Sequence, residues 1–326
     1  MSGAKRSASR PARVAVAMLA AALATVVAFL APVHSAAEDV SLAAGAVRTA
    51  LRSGAGGTTV FDDRGVAVPT APTAKRIVTL APSLTELAFA AGAGDRVVAV
   101  SAGSNHPPEA RALPVVAGPG RIDLERLLAL APDLVLAWPS GNPARDLARL
   151  ERLGIRVYAI EPRRLDDVPR ALRAVGALAG TPAAAEAAAA RFESEVIAAA
   201  SGSGRSPRVF FEIWHDPLVT VSDAHLIGDL VARCGGTNVF GGSPLLTPRV
   251  SREALHAADP DVILSSVGHG SRDDARRLWR DMARLRAVRE DRVQAVDADL
   301  VHRQGPRVIA GLHAVCRALA ATPPAR

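Results

Sequence analysis

Two glutamates of this sequence, Glu125 and Glu253, hold the same place in an internal repeat. Leu124–Leu136 reads LERLLALAPDLVL and Arg252–Leu264 reads REALHAADPDVIL. Each copy is a short helix that ends near Pro-Asp and runs into an apolar strand, a pattern that predicts two similar α/β lobes. Helix-start acids are common, because the positive end of the helix dipole favours a carboxylate there. Keeping the acid at one repeat position on both lobes also suits docking on a two-fold partner, with one charged mark per lobe.

Other chemistry-bearing residues gather where strands are expected to end. Ligands of open α/β sheets bind beyond the carboxyl ends of the strands. Pro82 and Ser83 follow the first predicted strand, and Gly103 and His106 lie in the GSNHPP stretch after the second. Trp138 and Asn142 bound the WPSGN stretch after the third. In the second half, Trp214 and His215 follow a strand, and Asp299, His302 and Arg303 lie in the DLVHR stretch after the last one. One strand-end tryptophan per half predicts a clamp on a large, flat, apolar ligand; the alternative places both in the core. Trp279, at an apolar helical position, is expected in the core. A zinc site would have to gather His106, His215 and His302 from separate loops, since no element carries ligand spacing. No phosphate-cradling G-x-x-x-x-G-K, H-E-x-x-H or G-x-S-x-G is present, and no catalytic residue or resident metal is expected.

The elements that must position these residues follow from the pattern. Lys5, Arg6, Arg10 and Arg13 precede an uncharged run, Val14 to Val33, and the small-residue stretch His34-Ser35-Ala36-Ala37. This predicts a secretory signal over residues 1–37, cleaved on export; the alternative is an uncleaved membrane anchor. Residues 38–74 read as a leader followed by a β-hairpin at Thr58–Thr70. Residues 75–165 read as an N-terminal α/β lobe, 166–206 as linking helices divided at Gly180-Thr181-Pro182, and 207–326 as a C-terminal α/β lobe. Thr181 is the expected N-cap of the second linking helix, whose roughly 19 residues would span about 28 Å. In the second lobe the pattern predicts strands at 208–213 and 218–222 and a single helix over 273–285. The fold class is therefore α/β, two similar Rossmann-like lobes joined by one long α-helix that resists bending. Cys234 and Cys316 are the only cysteines. An even pair in an exported chain reads as a disulfide, the alternative being two separate buried thiols. The net charge of +7 does not imply nucleic acid as a partner. Its arginines alternate with acids along helices, and aromatics are too few to stack bases.

Several segments together resemble the periplasmic vitamin B12-binding protein family. They are RIVTLAPSLTELAFAAGAGDRVVAVS at 76–101, Gly141-Asn142 after Trp138, RCGGTNVF around Cys234, VSREAL around Glu253 and RQGPR at 303–307. The resemblance runs over about residues 75–320. It implies a monomeric solute-binding protein that captures cobalamin, as ligand and not as cofactor, and delivers it to the membrane permease subunits of an ABC importer. It further implies that Glu125 and Glu253 meet arginines on the two permease subunits and that Cys234 pairs with Cys316. Trp138 and the segment 299–303 match cleft-lining positions. Haem- and siderophore-binding relatives share the fold and the paired glutamates, whereas segments 138–142 and 213–221 favour cobalamin. The chain departs from the family where Gly103 replaces a cleft tyrosine and where Pro119 and Thr247 replace tryptophans. Trp214 stands one position beyond the usual aromatic. The alternatives are a haem or ferric-siderophore carrier, in which His106 or His215 approaches the metal, and a chelatase-like enzyme using Asp299, His302 and Arg303.

Overall fold

The computed structural model describes residues 52–54, 57–199, 206–267 and 271–322; the expected signal segment lies outside them. The first described element is an antiparallel sheet of β1 (Arg52–Gly54), β2 (Gly57–Phe61) and β3 (Ala67–Pro69). The turn between β2 and β3 is organised by Asp62, whose carboxylate accepts from the N–H groups of Arg64 and Val66, each at 2.9 Å. It also accepts from the N–H of Ala159 at 3.2 Å, which ties the hairpin to the first lobe.

The first lobe is built on β4 (Ile77–Thr79), β5 (Val97–Ser101), β6 (Val115–Gly118), β7 (Arg121–Ile122), β8 (Leu134–Ala137) and β9 (Arg156–Ala159). They stand in the order β7-β6-β5-β4-β8-β9, parallel except for β7. The second lobe has β10 (Arg208–Glu212), β11 (Thr237–Asn238), β12 (Val262–Ser265) and β13 (Val293–Ala295), all parallel, in the order β11-β10-β12-β13. The stretch β5-β4-β8-β9 has the same arrangement, so the sequence repeat is a structural repeat. Strands covered by helices on both faces need apolar residues on both sides. Leu134–Ala137 and Val262–Ser265 are accordingly buried throughout.

Helices connect the strands: α1 (Pro82–Ala90), α2 (Leu124–Ala129) and α3 (Ala144–Arg152) in the first lobe, then α4 (Asp167–Ala179) and α5 (Pro182–Ala199) between the lobes. The second lobe carries α6 (Leu226–Arg233), α7 (Arg252–Ala258), α8 (Arg272–Leu278), α9 (Arg286–Arg289), α10 (Ala298–Val301) and α11 (Val308–Ala320). α4 stops at Gly180, whose φ of 70° is the left-handed C-cap conformation glycine adopts most easily. Pro182 restarts the helix at its first position, where a missing N–H costs nothing.

α5 buries Ala185, Ala188, Ala189, Phe192 and Val196 along one stripe. These residues belong to one hydrophobic cluster that runs from Leu84 and Leu172 to Leu230 and Leu312. The lobes therefore share a core through the linker, and separating them would expose it. A polar strap reinforces the junction. The N–H of Leu165 donates to the Asp229 carboxylate at 2.8 Å, and Arg233 pairs with Asp166 at 2.8 Å. Cys234, at the end of α6, is disulfide-bonded to Cys316 on α11. No helix among the described residues is long and apolar enough to cross a membrane.

The structure corrects three expectations and adds one pair of strands. The Thr181 hydroxyl does not cap α5; it donates to the carbonyl of Ala91 at 2.7 Å, and only the Thr181 carbonyl joins the helix. Residues 218–222 are not a strand of the sheet. They meet segment 246–250 through isolated contacts, where Pro248 has no N–H to continue a ladder. The region 273–285 breaks after Leu278, because Trp279 turns inward and donates from Nε1 to the buried Glu212 carboxylate at 2.8 Å. The pair β6 and β7 was not expected, since its apolar run is short and interrupted by Gly-Pro-Gly.

Candidate functional site

A cavity of about 260 Å³ opens between the lobes at the carboxyl ends of the strands. Trp138, Ser140, Glu161 and Arg163 line it from the first lobe, and His225, Leu226, Leu246, Thr247 and Gln304 from the second. Trp138 follows β8 directly and is 36% exposed, a large aromatic face turned to a cleft. Its indole is held from several sides. Nε1 donates to Glu161 at 3.2 Å, and the Trp138 N–H donates to the side-chain oxygen of Asn142 at 2.7 Å. The Asn142 amide donates in turn to the carbonyl of Leu80 at 3.1 Å. Gly141 completes the turn, because a Cβ there would collide with the six-membered ring of the indole. Asn142, expected to face a ligand, is instead buried, with both polar atoms engaged inside the protein. It orients Trp138.

The second tryptophan is not brought to this cavity. Trp214 is 60% exposed, and its Nε1 donates to the carbonyl of Asp216 at 2.8 Å, so it folds over its own turn. His215, also expected in the cleft, hydrogen-bonds through Nδ1 to Glu212 at 2.6 Å and sets its ring edge-on to the fully buried Trp279. The demand of the buried Glu212 carboxylate for partners turns His215 toward the lobe interior.

The DLVHR segment forms α10 and the turn after it, and it reaches across to the first lobe. Arg303 donates to Glu86 at 3.1 Å and to the side-chain oxygen of Asn105 at 2.7 Å, and it pairs with Asp299 at 2.9 Å. Arg307 donates to the other oxygen of Glu86 at 3.1 Å. Glu86 is 3% exposed, so the centre of this inter-lobe cluster is shielded from water, while Asn105 and the side chain of Asp299 at its edge are exposed. Gly305 lies against the start of α1, where an added Cβ would stand 3.1 Å from the carbonyl of Ser83. Pro82 and Ser83 therefore border the contact between the lobes, and Gly103, with φ of 81°, faces Pro82 from its loop. His302 keeps an exposed edge while its Nε2 meets the Ser266 hydroxyl at 2.7 Å; the protein atoms crowded round the ring disfavour the imidazolium and lower its pKa. His106 lines a separate, more open cavity of about 370 Å³ with Glu86, Phe89, Glu109 and Arg307.

His215 and His302 thus meet different partners, and His106 lines a different cavity. Among the described residues no group of three or more His, Cys, Asp or Glu side chains is placed to hold a metal ion. The repeat glutamates are both exposed, each the second residue of its helix. Equivalent caps precede them: Asp123 accepts from the N–H of Arg126 and Ser251 from that of Ala254. Hydrogen bonds from its own N–H and from Ser251 lower the pKa of Glu253. Neither glutamate forms an ion pair among the described residues.

Sequence reasoning missed Glu161, Arg163 and His225. The first two were legible, since the strand-end rule that found Trp138 applies equally to the EPRR stretch after β9. His225 gave less signal: it caps α6, and histidine is not a preferred N-cap.

Two similar α/β lobes joined by a helix, with an aromatic-lined cavity at the strand ends, define a solute-binding architecture. The chain belongs to the periplasmic binding protein family, whose model matches residues 77–300. It is 36% identical over 245 residues to the vitamin B12-binding protein of Vibrio cholerae serotype O1, a match over 74% of this chain and 88% of that protein. Among solved structures it resembles the periplasmic vitamin B12-binding protein BtuF of Vibrio cholerae, with a TM-score of 0.69, 36% identity, and 76% and 97% of the two chains covered. It also resembles the periplasmic heme-binding protein RhuT of Roseiflexus sp. RS-1, at a TM-score of 0.66 and 28% identity over 75% of this chain and 97% of that one.

Proposed function

We propose that this protein captures cobalamin or a closely related corrinoid between its lobes and delivers it to an ABC importer, without catalysing a reaction. The observation that carries the reading is the 36% identity to a vitamin B12-binding protein along 88% of its length, a span that takes in both lobes. The chemistry of the cleft supports it. A corrinoid has a broad apolar face and a rim of amides. Trp138 offers a face, while Ser140, Thr247, His225 and Gln304 offer hydrogen-bonding groups suited to amides. The enclosed space of about 260 Å³ is at the small end for a ligand site, so the macrocycle would lie along the open mouth with one edge inserted.

In this reading residues 75–165 and 207–326 are the ligand-holding lobes, residues 166–206 the linker and residues 1–37 a cleaved export signal. The protein acts as a monomer. Glu125 and Glu253, exposed and equivalent, are the marks that meet the permease subunits. Charged contacts of that kind set orientation and on-rate and weaken with salt.

The test is a spectroscopic and calorimetric titration of the mature protein with cyanocobalamin and with haemin. One-to-one cyanocobalamin binding, weakened roughly 5- to 150-fold by Trp138→Ala, is expected for loss of an aromatic anchor. Tight haemin binding with no response to cyanocobalamin would overturn the reading in favour of a haem carrier. Glu125→Ala with Glu253→Ala should leave ligand affinity intact and reduce importer binding. Loss of ligand affinity in that double variant would refute docking.

A further inference from the structure

The cavity beside Trp138 holds a histidine whose protonation geometry is set by the fold. His225 stands at the N-cap of α6, and its Nδ1 accepts from the N–H of Ile227 at 3.1 Å. A ring nitrogen that accepts from an N–H is the unprotonated one, so in the neutral ring the proton lies on Nε2. Burial is the main reason the ring stays neutral, and the nearby His302 and Arg163 add to it; together they hold its pKa down to about 4. The acids in reach are otherwise engaged. Asp229, one turn along α6, is held by the N–H of Leu165, by Arg164 and by Arg233, and Glu161 by Trp138 and Arg163. Nε2 has no hydrogen-bond partner among the described residues, while the ring lines the cavity.

We infer that His225 is a specificity-determining residue that offers a fixed Nε2–H to an acceptor oxygen on the ligand, such as the carbonyl of a rim amide, and that it does not ligate a metal. Ligation through Nε2 would require the proton to move to Nδ1. There it would face the Ile227 N–H, donor against donor, and the helix cap would be lost. At this position the cleft therefore selects for an acceptor on the periphery of the ligand, and not for an open axial position on its metal.

The inference rests on the reading of this cavity as the ligand site, and the experiment separates the two. Heteronuclear NMR of the imidazole nitrogens in the mature protein, with His225→Asn to assign the signal, should show the Nε2–H tautomer at neutral pH with and without cyanocobalamin. His225→Asn keeps an acceptor for the cap, since asparagine is a good N-cap residue, and removes the distal donor. His225→Gln retains a donor at the longer reach. We expect His225→Asn to bind cyanocobalamin about 5- to 10-fold more weakly, the loss of one hydrogen bond, and His225→Gln to recover part of that loss. An Nδ1–H tautomer, or wild-type affinity in His225→Asn, would overturn the donor role. So would a haemin spectrum of axial histidine ligation that disappears in His225→Asn. A wild-type protein that binds no cyanocobalamin would instead defeat the reading of the site, and the donor role with it.

Discussion

Replacing Glu86 with alanine tests whether the polar cluster between the lobes holds them together. Glu86 is 3% exposed and accepts from Arg303 and Arg307 at 3.1 Å each. The two arginines differ in what they retain. Arg303 keeps Asn105 at 2.7 Å and Asp299 at 2.9 Å. Arg307 keeps no partner among the described residues, and its Nη2 is already buried without one. Removing one member of a fully buried ion pair costs about 3–5 kcal/mol, because the other charge stays desolvated. The Arg307 side chain is 28% exposed and can turn partly to water, which lowers the cost. Glu86→Ala should therefore destabilise the fold by roughly 2–3 kcal/mol. At about 2–4 °C per kcal/mol, Tm falls by about 4–12 °C. The assay is urea unfolding and calorimetry of Glu86→Ala, Arg307→Ala and the double variant. The cycle should give a coupling of about 1–2 kcal/mol. Additive effects, or a loss below about 0.5 kcal/mol for Glu86→Ala, would show that the cluster does not stabilise the junction.

Three further outcomes follow from the geometry. Asn142→Asp keeps the acceptor for the Trp138 N–H but sets an oxygen against the carbonyl of Leu80, so it should cost about 2–4 kcal/mol in unfolding and also weaken ligand binding; unchanged stability would remove Asn142 from its positioning role. Cys234→Ser with Cys316→Ser opens a loop of 82 residues and should cost up to about 4–5 kcal/mol; mass spectrometry of the exported protein should find no free thiol, and two alkylatable cysteines without reduction would contradict the bond. His225 titrates near pH 4 in the fold and near 6.5 when unfolded. Above 6.5 neither state holds the proton; below it only the unfolded chain takes it up, so stability falls as pH drops from about 6.5 toward 4. Allowing for partial exposure of the ring, the loss is about 2–3 kcal/mol, and His302, also lowered, acts in the same direction. His225→Asn should flatten the acid limb of a urea-midpoint profile, and an unaltered profile would show that His225 is not its source.

What the sequence determined by itself was whatever depends on neighbours in the chain. The helix of one repeat copy, LERLLALAPDLVL, appears as α2 and its following strand as β8; the other copy appears as α7 and β12, with capping residues at matching positions. Gly180 and Pro182 mark the break between the linking helices because backbone conformation and a missing N–H act locally. The strand-end rule points to Trp138, and it points equally to Glu161 and Arg163 after β9. Direction was not legible, because it depends on partners remote in sequence. Asn142 and His215 lie in the right loops, yet the Leu80 carbonyl takes one inward and the buried Glu212 carboxylate takes the other. Trp214 folds over its own turn while Trp138 faces the cleft, and Arg303 reaches Glu86, 217 residues away in the chain. Tertiary structure decided these points, because a buried polar atom must find its partner wherever the packed fold supplies one.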